Sequence, residues 1–458
     1  MERTLPAPAR TSGEQRLLDS FAAIPPTERV RLAKRTSNLF RERTSTRTRG
    51  LDTTGLTGVR VVDVGRQTAE VDGMCTYEDL VAATLPHGLM PLVVPQLRTI
   101  TLGGAVTGLG IESSSFRNGL PHESVLEMDI LTGSGEIVTA TPDNEHADLF
   151  RGFPNSYGSL GYATRLRIEL EPVQRHVALR HVRFHDLDAL CAVIADVVAT
   201  REHEGERVDF VDGVVFSADE AYLTLARHSD DDGPTSDYTG QQVYYRSIQH
   251  DEPQPKRDLL TTLDYLWRWD TDWFWCSRAF GAQNPRVRRL WPKRWRRSSA
   301  YWKLVALDQR THFSDRMEAR KGNPPRERVV QDVEIPLEHT AEFLHWFLDT
   351  VPIEPIWLCP LRLRGERTWD LYPLRPDETY VNIGFWSSVP GGERGATNRA
   401  IERRVDELAG HKSLYSESFY SREQFDALYG GDTYAVLKAT HDPDGRFPHL
   451  YDKAVRHA

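Results

Sequence analysis

Apolar and polar residues alternate with a period of two over residues 59–64, 68–72, 125–131, 136–140 and 162–170, the spacing of strands whose successive side chains face opposite ways. Thr132, Gly133, Ser134 and Gly135 join the third and fourth runs, which therefore read as a hairpin. Residues 76–85 change to helical spacing, with Thr76 placed to cap, Glu78 and Asp79 in the first turn and Gly88 beyond the end. From about Val173 a second pattern begins, with strands at 177–184, 210–216 and 221–226 and a helix at 187–201. An acidic turn at 229–234 follows, then a helix at 338–348, strands at 353–363 and 379–386, and a helix at 398–408 with Asn398 near its start. Leu and Ala at helical spacing predict two short N-terminal helices, 14–23 and 27–33, on either side of Pro25 and Pro26. Strands and helices are thus mixed without a βαβ rhythm, so the fold class is α+β.

Glycine gathers where this periodicity lapses. Gly103, Gly104, Gly108 and Gly110 stand among small hydroxyl and apolar residues, and Gly158 and Gly161 form a second cluster. Backbone without Cβ atoms lies close to a ligand and offers it bare N–H groups, which suits a pyrophosphate. Neither the dinucleotide fingerprint of a βαβ unit nor a phosphate-binding loop ending in Lys and Ser or Thr is spelled here.

The order of glycine loop, hairpin, Asp148-Leu-Phe, Gly158-Ser-Leu-Gly and strand resembles the FAD-binding domain of the vanillyl-alcohol oxidase and p-cresol methylhydroxylase flavoproteins, the PCMH type. The run from Thr101 through Gly110-Ile-Glu-Ser-Ser-Ser, the segment Pro355-Ile-Trp-Leu-Cys-Pro and the ending Phe447-Pro-His-Leu-Tyr-Asp-Lys-Ala-Val are similar to motifs of the delta-24-sterol reductase family. The resemblance implies a two-subdomain FAD-binding domain over residues 1–173, a mixed α+β substrate or cap domain over 174–433, and a segment, 434–458, that returns to the FAD domain. It also implies that FAD lies against Thr101, Leu102, Gly103, Gly104, Ala105, Val106, Thr107, Gly108, Leu109, Gly110, Ile111, Glu112, Ser113 and Ser114, with Gly158 and Gly161 nearby. Residues 34–43, basic and hydroxyl-rich, fall where the superfamily places a first phosphate-receiving loop, although a solvated basic surface explains them equally. Many relatives tether the flavin through His or Cys. Residues 34–43 and 96–119 hold neither, so the expectation is non-covalent FAD.

A chain of 458 residues exceeds one ordinary core. Charged residues at 27% and hydrophobic ones at 39% are globular values, and no window approaches a membrane span. The four cysteines, Cys75, Cys191, Cys276 and Cys359, are far apart, which argues against metal or a disulfide framework and for a reducing cytoplasm. A net charge of −9 disfavours nucleic acid, and no apolar secretion signal opens the sequence.

Residues 265–302 stand apart. They hold seven of the eleven tryptophans, from Trp267 through Trp302, and seven cations lie between Arg286 and Arg297. Tryptophan favours the headgroup boundary and clustered cations favour anionic lipid, so a peripheral membrane contact is one expectation. The other is that the tryptophans wall a cavity or fill a core.

The resemblance implies reduction of an isolated carbon–carbon double bond with FAD and NADPH. Such chemistry needs a proton donor, and Glu112 is the candidate by position, with His122, Glu123 and Tyr451 behind it; for Glu112 the competing role is to cap its own loop. Frequent Arg, Ala and Asp point to a GC-rich bacterial coding sequence, and the resemblance to relatives in mycobacteria and their kin implies a methylene-branched fatty acyl chain as the favoured substrate. A methyltransferase would then supply the methylene lipid. A sterol side-chain alkene comes second, an alcohol or sugar oxidase is the competing enzyme class, and a flavin-free lipid-binding protein is the non-enzymatic one.

Overall fold

The computed structural model describes residues 10–34, 40, 50–251, 253–311, 316, 320, 322, 324–391 and 393–455. Its first sheet is built on the eleven-residue strand Tyr162–Pro172. Strand order is Val59–Asp63, Thr68–Asp72, Tyr162–Pro172, Val125–Leu131 and Ile137–Ala140, all neighbours antiparallel, with Leu89–Pro91 pairing the far end of the central strand. Alternate residues Val71, Met128, Ile130, Leu166 and Ile168 are buried against Leu80 and Val81 of the helix Tyr77–Thr84. Thr76 caps that helix, its hydroxyl accepting from the Asp79 N–H at 3.2 Å.

The second sheet has eight strands in the order Lys256–Thr261, His176–Phe184, Glu220–Ser229, Phe210–Ser217, Ile356–Leu361, Tyr380–Pro390, Arg326–Pro336 and His411–Lys412. One face is apolar. Val329, Val333, Ile335, Val381, Ile383 and Phe385 pack there in one core with residues of the helices Leu187–Thr200, Leu337–Thr350 and Ala396–Glu407. Because the side-chain period is two, the alternate residues Asp332, Glu334, Asn382 and Trp386 turn the other way. That opposite face looks toward the first sheet and positions the site.

The C-terminal helix Gly431–His441 lies on the first domain, against Ala147–Gly152. Lys438 donates to the Ser159 carbonyl at 2.7 Å, and the Gly133 N–H donates to the His441 carbonyl at 2.8 Å.

Two expected elements differ. Residues 27–33 are not helical: Arg31 and Leu32 pair in parallel with Gly50 and Leu51, and the Val30 N–H donates to the Arg446 carbonyl. Long-range partners override local spacing there. The strand expected from residue 353 begins at Ile356, since Pro352 and Pro355 have no N–H to give a ladder.

Candidate active site

The segment beginning at Thr101 is not an open loop. Residues Leu102–Thr107 form a short helix, capped by the Thr101 hydroxyl, which accepts from the Gly104 N–H and from Lys34, each at 3.2 Å. Leu102, Ala105 and Val106 point into the core, so only their backbone is offered to a ligand. Gly103 is required by packing, for its N–H donates to the Gly73 carbonyl at 2.9 Å and a Cβ would stand 2.6 Å from that oxygen. Gly110 is pressed between Pro121 and Pro95. Within 101–115, Gly104, Thr107 and Leu109 keep accessible surface, and they define the side from which a ligand reaches this backbone. Of the first phosphate-loop candidate, 34–43, only Lys34 and Phe40 are among the described residues.

The second glycine cluster clamps onto that helix. Asn155, Tyr157 and Gly158 have φ of 58°, 50° and 71°, costly conformations for the first two. The Tyr157 N–H donates to the Thr107 carbonyl at 2.6 Å. A Cβ at Gly161 would lie 2.4 Å from the Leu131 carbonyl oxygen. Both amide atoms of Asn155 and the Ser156 hydroxyl are buried without a hydrogen-bond partner, an expensive state unless a polar ligand completes it. Orphaned donors beside the accessible edge of 104–109 fit a dinucleotide.

Ile111 to Ser114 do something else. The Ser113 carbonyl accepts from the Val211 N–H at 2.8 Å, and the Ser113 hydroxyl contacts the Tyr265 hydroxyl at 2.8 Å. This stretch bolts the first domain to the second sheet. Glu112 lies inside a buried ion network: Arg268, itself fully buried, donates to Glu112 at 3.3 Å and to Asp212 at 3.0 Å, while Trp269 and Trp357 donate their indole N–H groups to Asp212 at 2.9 and 3.3 Å. Burial, helped by the Asp212 charge, holds the Glu112 carboxyl above its usual range despite Arg268. Its partners are structural, and it caps its own loop through Ser113, whose hydroxyl donates to it at 2.7 Å and whose backbone N–H also bears on the carboxylate.

The other acid candidates are scattered. His122 is fully buried with neither ring nitrogen bonded, its ring centroid 4.5 Å from that of Trp369, and burial pushes its pKa down to about 3. Glu123 accepts from the N–H groups of Leu120 and Arg364 at 2.8 and 2.9 Å. Tyr451 packs edge-on to Phe425, its hydroxyl directed at the Tyr420 carbonyl at 3.3 Å. These residues do not converge with Glu112.

A cluster that periodicity alone did not single out lies across from the segment that begins at Thr101. Asp332 and Glu334, on one face of their strand, meet Gly384 and Asn382 across the ladder. Tyr372 donates to one Glu334 oxygen and the Ser413 hydroxyl to the other. Burial, with the neighbouring Asp332 adding to it, raises Glu334 to about 8, and burial raises Asp332 to about 7. The signal was present in Val330-Gln-Asp-Val-Glu-Ile, where two acids two residues apart alternate with Val333 and Ile335. Tyr157 ties this cluster to the helix Leu102–Thr107, since its N–H reaches Thr107 and its hydroxyl accepts from the Leu414 N–H at 3.0 Å.

Tryptophans wall the same region. Trp269 stacks on Phe274 at 4.9 Å, Phe274 on Trp386 at 4.3 Å, and Trp386 donates to the Tyr415 hydroxyl at 2.9 Å. Trp267, Trp269, Trp273 and Trp275 are buried, so this half of the Trp/Arg stretch is interior rather than membrane-facing. Its cations divide too: Arg288 is locked to Asp272 and Arg296 to backbone carbonyls, whereas Arg286, Arg289, Lys293 and Arg294 are exposed.

Comparison with known proteins agrees with this architecture. The family model described as FAD binding domain matches residues 28–141. Delta(24)-sterol reductase of Homo sapiens is 28% identical over 411 residues, covering 86% of this chain and 76% of that protein. The Arabidopsis thaliana protein of the same name is 26% identical over 428 residues, covering 85% and 74%. Cytokinin dehydrogenase 10 of Oryza sativa subsp. japonica is 31% identical over 154 residues, 34% of this chain and 28% of its own. The chain is therefore an FAD-dependent oxidoreductase with a PCMH-type α+β fold. Within that class it is delta-24-sterol reductase-like.

Proposed function

We propose that the protein saturates an isolated carbon–carbon double bond of a lipid, with NADPH as the electron source. FAD, when bound, supplies the hydride. An isolated alkene has no carbonyl to receive charge, so a proton must be delivered to its less substituted carbon, and aromatic faces ease the positive charge that develops on the other. The observation that carries the reading is the sheet face across from the segment that begins at Thr101, where Phe274 stacks on Trp386 beside the Asp332 and Glu334 carboxyls, both raised by burial. The names of the relatives support a sterol side-chain alkene as substrate.

A methylene-branched acyl chain is the second substrate, because it too gives a tertiary cation. The exposed surface favours it. Leu290 is 85% and Trp295 52% exposed, with Val287 alongside, among Arg286, Arg289, Lys293 and Arg294. An apolar patch ringed by cations suits peripheral contact with an anionic, cytoplasm-facing bilayer, through which a phospholipid-held acyl chain would arrive from the methyltransferase that builds its branch. Among the described residues no helix is long and apolar enough to cross a membrane. The flavin is held without a covalent bond, so acid precipitation should release it.

Anaerobic NADPH is expected to bleach the bound flavin, and addition of the alkene lipid in anionic vesicles to restore its colour. The protein should sediment with those vesicles, and Leu290→Asp with Trp295→Asp should abolish that. Bleaching by an alcohol, with hydrogen peroxide formed in air and no response to alkene, would overturn the reading.

A further inference from the structure

Asp332 is half-buried on the sheet face that also carries Glu334, Asn382 and Trp386. Its Oδ1 has no hydrogen-bond partner. One residue pair along the ladder, Asn382 is fully buried, and its side chain bears on the Asp332 carboxyl. Gly384 lets both side chains lie directly on its backbone: a Cβ there would stand 2.5 Å from Asp332 Oδ1 and 2.6 Å from the Trp386 ring. Trp386 donates to the Tyr415 hydroxyl at 2.9 Å, which leaves the Tyr415 proton for Asp332. The Ser413 N–H donates to the Asp332 carbonyl at 3.0 Å, and the next residue, Leu414, is tied through Tyr157 to Thr107, which brings the Asp332 strand close to the edge of the segment that begins at Thr101.

We propose that Asp332 is the proton donor to the lipid alkene, with Tyr415 positioning its carboxyl and Glu334 sharing its charge state. The assignment rests on the alkene-reductase reading above. One C–H bond forms as the Asp332 carboxyl gives its proton to the less substituted alkene carbon, and a second as hydride, carrying two electrons that come ultimately from NADPH, reaches the other carbon. The π bond is lost, and the Asp332 carboxylate regains a proton from water.

The surroundings keep the carboxyl protonated. Burial raises Asp332 to about 7, with Tyr415 and Asn382 opposing the shift. Glu334 faces the same side and cannot readily ionise beside an ionised Asp332. Tyr372, Tyr415 and Tyr429 are raised well above their usual range by burial and stay neutral. His411 is pushed down to about 4 by burial and is neutral too. Lys412, on the neighbouring strand, is committed to Glu402 at 2.6 Å.

The test uses the FAD-loaded protein and the Asp332→Asn variant. The variant should keep its flavin and its rate of bleaching by NADPH, while alkene-driven recovery of colour slows roughly 100- to 10,000-fold, the usual contribution of a general acid. Wild-type recovery should fall as pH rises through about 7, and the variant's residual rate should not follow that curve. Infrared titration of the apoprotein should find a protonated carboxyl band persisting toward pH 7 that Asp332→Asn removes. If Asp332→Asn does not fold, Asp332→Glu serves: with the carboxyl displaced by one methylene, recovery should slow and still fall as pH rises, and a recovery rate equal to wild type overturns the assignment. Equal recovery rates in wild type and Asp332→Asn, or an unchanged band, overturn the assignment alone. A wild type that no alkene reoxidises overturns the reading beneath it.

Discussion

Replacing Arg268 by Met is expected to destabilise the protein by about 3–5 kcal/mol, the range for removing one partner of a buried ion group. Arg268 is fully buried and stands between Glu112 at 3.3 Å and Asp212 at 3.0 Å. Without it the two carboxyls remain in a low-dielectric interior. Asp212 keeps the indole donors of Trp269 and Trp357, but Glu112 retains only its own loop. The Ser113–Val211 and Ser113–Tyr265 contacts that fasten the domains lie next to this network, so FAD affinity should fall along with the urea midpoint. Adding Glu112→Gln to Arg268→Met should restore part of the loss, because an amide needs no counter-charge. An unchanged midpoint in the single variant would mean that the network contributes nothing to the fold.

The second large effect depends on pH. The Glu334 carboxyl has an ordinary value of 4.5 and stands near 8 in the folded protein. Between those values the folded chain holds a proton that the unfolded chain has released, so this group's contribution to stability falls as pH rises, by about 1.4 kcal/mol per unit. Below the lower value folded and unfolded states are both protonated and the effect is absent. Glu334→Gln imitates the protonated acid at every pH. The variant should therefore match wild type at pH 5 and exceed it at pH 9 by on the order of a few kcal/mol, read as a higher thermal midpoint. Equal midpoints at both pH values would show that Glu334 titrates in the ordinary range.

The alternating runs at 59–64, 125–131 and 162–170 became strands as their period dictates, and Thr76 became the cap that its place before Glu78 and Asp79 implied. Those signals are local. Residues 27–33 failed because their partners, Gly50, Leu51 and Arg446, lie far along the chain. The acid pair was hidden for a related reason. In a period-two strand Asp332 and Glu334 look like the solvated face of a sheet, and only the arrival of Tyr372, Ser413 and Tyr415 from later segments buries them. Arg268 was hidden by composition: among so many tryptophans and cations, a buried arginine and a surface one read alike. Membrane-facing and cavity-walling tryptophans differ only in what packs on them, and sequence spacing carries no record of that. The glycines of 101–110 stood out in the sequence as a cradle, yet Gly103 serves a backbone contact with Gly73.

All of the chemistry depends on FAD lying against the accessible edge of residues 101–109, and Gly104 offers the cleanest probe of it. A Cβ there meets the Thr101 hydroxyl at 2.8 Å and Lys34 at 3.4 Å, both side-chain atoms, rather than the core. Flavin content per chain should be measured for wild type and Gly104→Val, alongside their circular dichroism. The account predicts near-stoichiometric, acid-extractable FAD in wild type and little in a variant with unchanged secondary structure. Full FAD occupancy in Gly104→Val would contradict it.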